Sequence, residues 1–214
     1  MINILSVDFD WIMEPSIGLY NSMIHGSNSE MDWETIKTFA PGVTFEADYN
    51  KYWMLTLYLG NIVHRLGDPK KLRIATDHHA IIDAMKDWGI NQKHYCLYNI
   101  DHHHDCGYGN MDVENYVEEL AAQPLNCGNW VIKALDQFPN LKRYTWIDNK
   151  NSDAGLRDDI ISKFKELVIV SDINVLNFIN IDYVFLCKSP GWTPPKYDPL
   201  FSALEFSLDK IINK

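Results

Sequence analysis

The chain has 214 residues, 46% of them apolar and 13% aromatic, and a formal net charge of −10. That length and composition fit a single globular domain over 1–214, and the acidic balance argues against nucleic acid and for a cationic small molecule or basic peptide as partner. No apolar run of about 18 residues is present, so no membrane span is expected, and the start "MINILSVDFD" lacks the basic residues of a signal peptide.

Short apolar runs alternate with longer amphipathic ones. "INILSVD" (2–8) reads as a buried strand and "YNKYWMLTLYLGNIVHRL" (49–66) as a helix. Residues 26–48 between them are irregular and read as a lid or an insertion. "KLRIATD" (71–77) is a strand, and "AIIDAMKDWG" (80–89) a helix closed by Gly89. "HYCLYNID" (94–101) is a strand; 111–123 and 128–138 are helices. "KRYTWID" (142–148) and "ELVIVSD" (166–172) are strands with a helix over 155–166 between them. "DYVFLCKSP" (182–190) is the last strand. A closing helix spans 198–212, with Asp198 as its N-cap and Pro199 at N1. The alternation predicts an α/β fold, a three-layer αβα arrangement around a mostly parallel sheet.

Several of these strands end in polar groups: Asp8 and Asp10, Asp77 and His78, Asp101 and His103, Asp148, Asp172, and Ser189. Ligands of open α/β sheets bind at the carboxyl ends of strands, so groups distant in sequence are expected to meet there. In "DHHHD", an extended chain would send Asp101, His103 and Asp105 to one face and His102 and His104 to the other. Two carboxylates and an imidazole suit a hard or borderline divalent ion such as Mn²⁺. Cys106 falls on the other face. Cys96, Cys106, Cys127 and Cys187 form no CxxC pair, which argues against a zinc ribbon and for free buried thiols in the cytoplasm. "SVDFD" places Asp8 and Asp10 with the same alternation. Two such carboxylates raise each other's pKa unless a cation neutralises them. In "TDHHA", Asp77 is either a helix N-cap with the histidines in the first turn, or His78 is a ligand. With His78 the set holds two histidines and four carboxylates, enough for a two-metal centre that activates water.

These residues together resemble the ureohydrolase, or arginase, superfamily, which also includes histone-deacetylase-like enzymes. The resemblance rests on Asp101-His102-His103-His104-Asp105 for DxHxD, on "SVDFDWIMEP" (6–15) for SxDxDxxDP, and on "TDHH" for a GDH-like strand end. "NCGNW" (126–130) resembles the SGN segment of arginases, and "SPGWTPP" (189–195) a segment of the arginase-like family that includes peptide arginases. Here SxDxD precedes DxHxD, an order that resembles a circular permutation, and the terminal acid of the first motif is Glu14, one residue late.

The resemblance implies an arginase-like fold and two Mn²⁺ per chain, held by Asp8, Asp10, His78, Asp101, His103 and Asp105. Asp8 and Asp101 would bridge, and Asp105 and His103 would be catalytic. A water activated between the ions would attack a guanidinium carbon, giving urea and ornithine. An arginine-containing peptide is the implied substrate. Glu14, Asp148 or Asp172 would accept the guanidinium, and Asn129 and Trp192 would line the cleft. A DHH-type phosphoesterase, which would use His102 with His103, a metal-dependent deacetylase and a non-catalytic metal-stabilised peptide binder are the competing readings.

Overall fold

The computed structural model describes residues 1–15, 45–107, 116–150 and 155–214. In chain order the strands and helices are β1 (Ile2–Asp8), β2 (Met13–Pro15), β3 (Phe45–Ala47), α1 (Tyr49–Leu66), β4 (Leu72–Ala75), α2 (Ile81–Asp87), β5 (Tyr95–Asp101), α3 (Tyr116–Ala122), α4 (Trp130–Gln137), β6 (Leu141–Asp148), α5 (Asp158–Ile161), β7 (Leu167–Val170), β8 (Tyr183–Cys187) and α6 (Asp198–Ile212). Six strands form one parallel sheet in the order β4-β8-β1-β5-β6-β7. β2 and β3 form a separate antiparallel pair.

Helices cover both faces, giving the expected three-layer α/β fold. Leu5, Val7, Tyr98, Ile100, Val184 and Leu186 face α1 and α6. Ile4, Tyr95, Leu97, Tyr144, Trp146 and Phe185 face α2 and α4. β5 is buried at all seven positions, as a central parallel strand covered on both sides must be. Leu55, Leu59 and Val63 of α1 are wholly buried at helical spacing. Each such side chain contributes about 1.5–3 kcal/mol through burial. α1 starts where Asp48 accepts from the amides of Asn50 and Lys51, and it ends at Gly67, whose φ of 61° is left-handed.

The connections decide where a ligand can sit. From β1 the chain crosses to β4 on one side; from β5 it runs to β6 and β7 on the other. The carboxyl ends of β1 and β5 therefore flank the switch point, where the flanking connections diverge and leave a crevice. Asp8 ends β1 and Asp101 ends β5.

Several expected boundaries move. The strands over 71–77 and 166–172 shorten to Leu72–Ala75 and Leu167–Val170. The helix over 155–166 shrinks to Asp158–Ile161, because Arg157 pairs with Asp159 beside it and the chain must turn back within a few residues to enter β7. Asp198 is not an N-cap. It is already helical, Tyr197 occupies the cap position, and the Asp198 carboxylate pairs with Lys188 Nζ at 2.8 Å. Of the irregular stretch 26–48, residues 26–44 lie outside the described residues, 45–47 form β3, and Asp48 caps α1. Residues 111–115 of the expected helix 111–123 also lie outside them. No helix among the described residues is long and apolar enough to cross a membrane.

Gly107 makes the turn that leaves β5's end. Its φ is 105°, and a Cβ there would sit 2.2 Å from Leu120 Cδ1. Gly107→Ala is expected to destabilise the fold by about 1–3 kcal/mol, measured by urea unfolding, because both backbone strain and overpacking act against it.

Candidate metal centre

Each functional side chain is delivered by a chain end of the sheet. After β1, Asp8 accepts from the Asp10 amide at 3.1 Å and opens a 3₁₀ turn over Phe9–Ile12. That turn swings Asp10 into the interior. Asn149, just past β6, donates to the carbonyls of Trp11 (2.8 Å) and Met13 (2.9 Å), and Trp11 Nε1 donates to the Asp148 carbonyl. The turn is thereby stitched to the neighbouring strand end. After β4, His78 begins a 3₁₀ turn over His78–Ala80. Asp77 stands before it, but its side chain makes no capping bond, so the capping alternative fails and His78 points into the buried cluster.

After β5 the chain does not stay extended. The His103 amide donates to Asp101 Oδ1 at 2.8 Å, and Asp105 adopts a left-handed φ of 52°. The expected alternation of faces therefore fails, and all five residues of "DHHHD" are buried. Asp101, His103 and Asp105 still converge, through this turn rather than through strand pleating. α4 pins the turn: the Val131 amide donates to the Asp105 carbonyl (3.2 Å) and the Gly107 amide to the Gly128 carbonyl (2.7 Å).

The result is two overlapping donor groups. In the first, His78 Nδ1 lies 3.1 Å from Asp8 Oδ2, 3.2 Å from Asp101 Oδ2 and 3.0 Å from Asp105 Oδ2. In the second, His103 Nδ1 lies 3.0 Å from Asp10 Oδ2 and 3.8 Å from Asp101 Oδ1. Asp101 serves both, one oxygen to each. Asp8, His78 and Asp101, and likewise Asp10, Asp101 and His103, offer ligand atoms within 4.8 Å of one another.

Hydrogen bonds alone do not account for these donors, which could hold a metal ion. One ring N–H cannot satisfy three carboxylates, and His78 Nδ1 and Asp10 Oδ2 are buried without a hydrogen bond of acceptable geometry. Among the described residues no Lys or Arg bonds Asp8, Asp10 or Asp101. Buried like charges of this kind demand protons or a cation. Burial, then the neighbouring carboxylates, pushes Asp10 and Asp101 well above the ordinary carboxylate range. Burial also raises Asp105, although His78 beside it acts in the opposite direction. Burial opposes charge on His78, but the carboxylates of Asp101, Asp105 and Asp8 outweigh it and hold the ring well above its usual value. The donors are oxygen and nitrogen, with no thiolate. Cys106 is buried and its thiol is pushed up, and the four cysteines are free.

Partners that composition and spacing did not single out hold the first group. Ser6 Oγ lies 2.7 Å from His78 Nε2, which turns Nδ1 toward the carboxylates. Asn99 Nδ2 donates to Asp101 Oδ2 at 3.1 Å, and Trp146 Nε1 to the Asp101 carbonyl at 3.0 Å. Trp130 Nε1 donates to Asp105 Oδ2. A period-two polar pattern on β1 and β5 (Ser6 with Asp8, Asn99 with Asp101) was the available signal for two of these.

His102 and His104 stay outside both groups. Burial, then Lys51, lowers His102 to about 4, so it is neutral near pH 7. His104 Nδ1 accepts from the Cys106 amide, and its carbonyl accepts from Tyr144 Oη.

The expected substrate residues divide. Trp192 reaches the cluster, its ring centroid 4.2 Å from that of His103. Asp148 pairs in register with Asp101, and its Oδ1 is buried without a hydrogen bond. Glu14 is engaged by Lys51, which also donates to Asn149. Asp172 caps a 3₁₀ turn through the Asn174 amide, beyond the edge strand. Asn129 spends its amide on the loop before α4, accepting from the Asn126 amide and donating to the Pro124 carbonyl, both at 2.9 Å.

No protein-family model, no curated protein and no solved structure matches this chain.

Proposed function

We propose that the protein is a dinuclear metal-dependent hydrolase of the arginase type, acting on a guanidinium C–N bond of arginine within a peptide. One observation carries the reading: two buried His/Asp groups share Asp101 at the switch point of a parallel sheet. Two Mn²⁺ ions would be held there by Asp8, Asp10, His78, Asp101, His103 and Asp105, and when bound they would supply charge stabilisation and an activated water.

The chain's own residues account for the rest. Asp105 would accept a proton from the attacking water. Asp148 is the preferred acceptor for the guanidinium, since Glu14 already pairs with Lys51 and Asp172 is committed to a turn. Trp192, packed on His103, borders the substrate. The net charge of −10 favours a cationic substrate. The reaction consumes one water: the bond between the guanidinium carbon and the side-chain nitrogen breaks, the carbon leaves as urea, and ornithine remains.

The test is to incubate Mn²⁺-loaded protein with an arginine-containing peptide and read the peptide mass. Loss of the guanidine carbon with two nitrogens, together with urea release, is the expected result. An unchanged peptide mass with free arginine consumed rejects the peptide preference.

Asp105 and His102 separate this reading from the phosphoesterase one by experiment. Asp105 meets His78, whereas His102 joins neither donor group among the described residues. Asp105→Ala is expected to weaken metal at the His78 position by about 100-fold or more, and His102→Ala by less than about 3-fold. Isothermal titration with Mn²⁺ reads both. The opposite order would favour the phosphoesterase.

A further inference from the structure

Trp130 is wholly buried at the start of α4, and nothing in the proposed chemistry uses it. It nevertheless touches two proposed ligands of one half-site. Its indole Nε1 donates to Asp105 Oδ2 at 2.5 Å, and its ring packs tilted against His78 with centroids 4.8 Å apart. On the other side His78 is stacked on Phe185, the two planes 2° from parallel. The backbone around Trp130 is tied to the same place, through Val131 to the Asp105 carbonyl and Gly128 to the Gly107 amide. Asn129, whose side chain braces residues 124–126, fixes the entry into α4 that presents the indole.

We infer that Trp130 is the positioning residue of the His78 half-site: its N–H sets which Asp105 oxygen faces the metal position, and its ring fixes the plane of His78. The inference rests on the dimetal reading. A carboxylate held by an outside donor keeps one orientation and loses little conformational freedom when a cation binds. Asp105 sits on a left-handed residue just past a strand end, and the indole bonds the same carboxylate oxygen that lies 3.0 Å from His78 Nδ1. In the Asp10–His103 half-site the Trp192 ring packs on His103, the centroids 4.2 Å apart.

Trp130→Phe keeps an aromatic ring against His78 and removes the N–H. Mn²⁺ affinity, read by competition with a chelating indicator, is expected to fall about 10–100-fold for one ion and to hold for the other. Low-temperature Mn²⁺ EPR should change in step, from a coupled two-ion signal to that of an isolated ion at intermediate loading. Adding Trp130→Phe to Asp105→Asn should then cost less than about 2-fold more, because the indole acts through Asp105. Losses that simply add would mark a packing role and overturn the inference, as would Trp130→Phe binding both ions like the parent. Should that variant fail to fold, ¹⁵N spectra of the unmutated protein decide. The Trp130 indole resonance should move when diamagnetic Mg²⁺ is added, while that of Trp88, bonded to the distant Lys70 carbonyl, stays. An unmoved Trp130 resonance under Mg²⁺ saturation overturns it. An unmutated protein that takes up no divalent ion rejects the dimetal reading itself, and the inference with it.

Discussion

Asp101→Asn is expected to abolish both metal positions at once while making the metal-free protein more stable. Asp101 is the one residue in both donor groups, with Oδ2 toward His78 and Oδ1 toward His103. An amide offers one neutral oxygen where the carboxylate offers two charged ones. Affinity for both ions should fall by at least about 100-fold, the upper end for losing only an outer partner of a ligand. Stability moves the other way. Burial and the carboxylates of Asp105 and Asp8 disfavour charge on Asp101, and Asn is close to its neutral form. Relief of on the order of 1 kcal/mol would raise the metal-free Tm by about 2–4 °C for a chain of this size. With saturating Mn²⁺ the order should reverse, because only the parent gains binding energy on folding. Melting curves with and without Mn²⁺ read both halves. A variant less stable than the parent without metal would mean that Asp101 is held for packing rather than for a cation.

The metal-free protein is expected to lose stability as pH rises from the ordinary carboxylate value of 3.8 through the raised values of the cluster. Asp10, Asp101 and Asp105 all titrate above their ordinary value of 3.8 in the folded state, through burial first. Between that ordinary value and the raised ones, the folded protein holds protons that the unfolded chain has released. Unfolding then becomes easier with rising pH, by about 1.4 kcal/mol per pH unit for each extra proton held. His78 has the same sign. The stability of its protonated ring is fully present below the unfolded value of 6.5 and is lost as pH passes its raised folded value. Mn²⁺ bound there would take the place of these protons, so its affinity and the Tm increase it confers should both grow over the same range. A Tm difference between loaded and metal-free protein that is flat from pH 6 to 8 would contradict the cluster's electrostatics.

How much of this was readable in the residues alone follows from range. Strands and their polar ends obey local rules, so the parallel sheet and the meeting of Asp8, His78 and Asp101 were within reach of pattern and topology. Asp105 meets His78 not through strand alternation, as the sequence pattern suggests, but through a left-handed turn pinned by α4. The bonds that Ser6, Trp130 and Asn149 make to the site span 25 to 138 positions, so strand and helix patterns do not reveal them, although Ser6 lies in period with Asp8 and Trp130 lies in "NCGNW". Glu14 looked like a substrate acid because its partner, Lys51, is 37 positions away on another element. Asp198 before a proline reads as a cap, yet Lys188 draws its carboxylate aside.

The most direct test is the metal content of the purified protein after loading with Mn²⁺ and removal of excess ion. Elemental analysis should return about two Mn²⁺ per chain, falling to none in Asp101→Asn. A chain that binds no divalent ion under these conditions would contradict the account at its root.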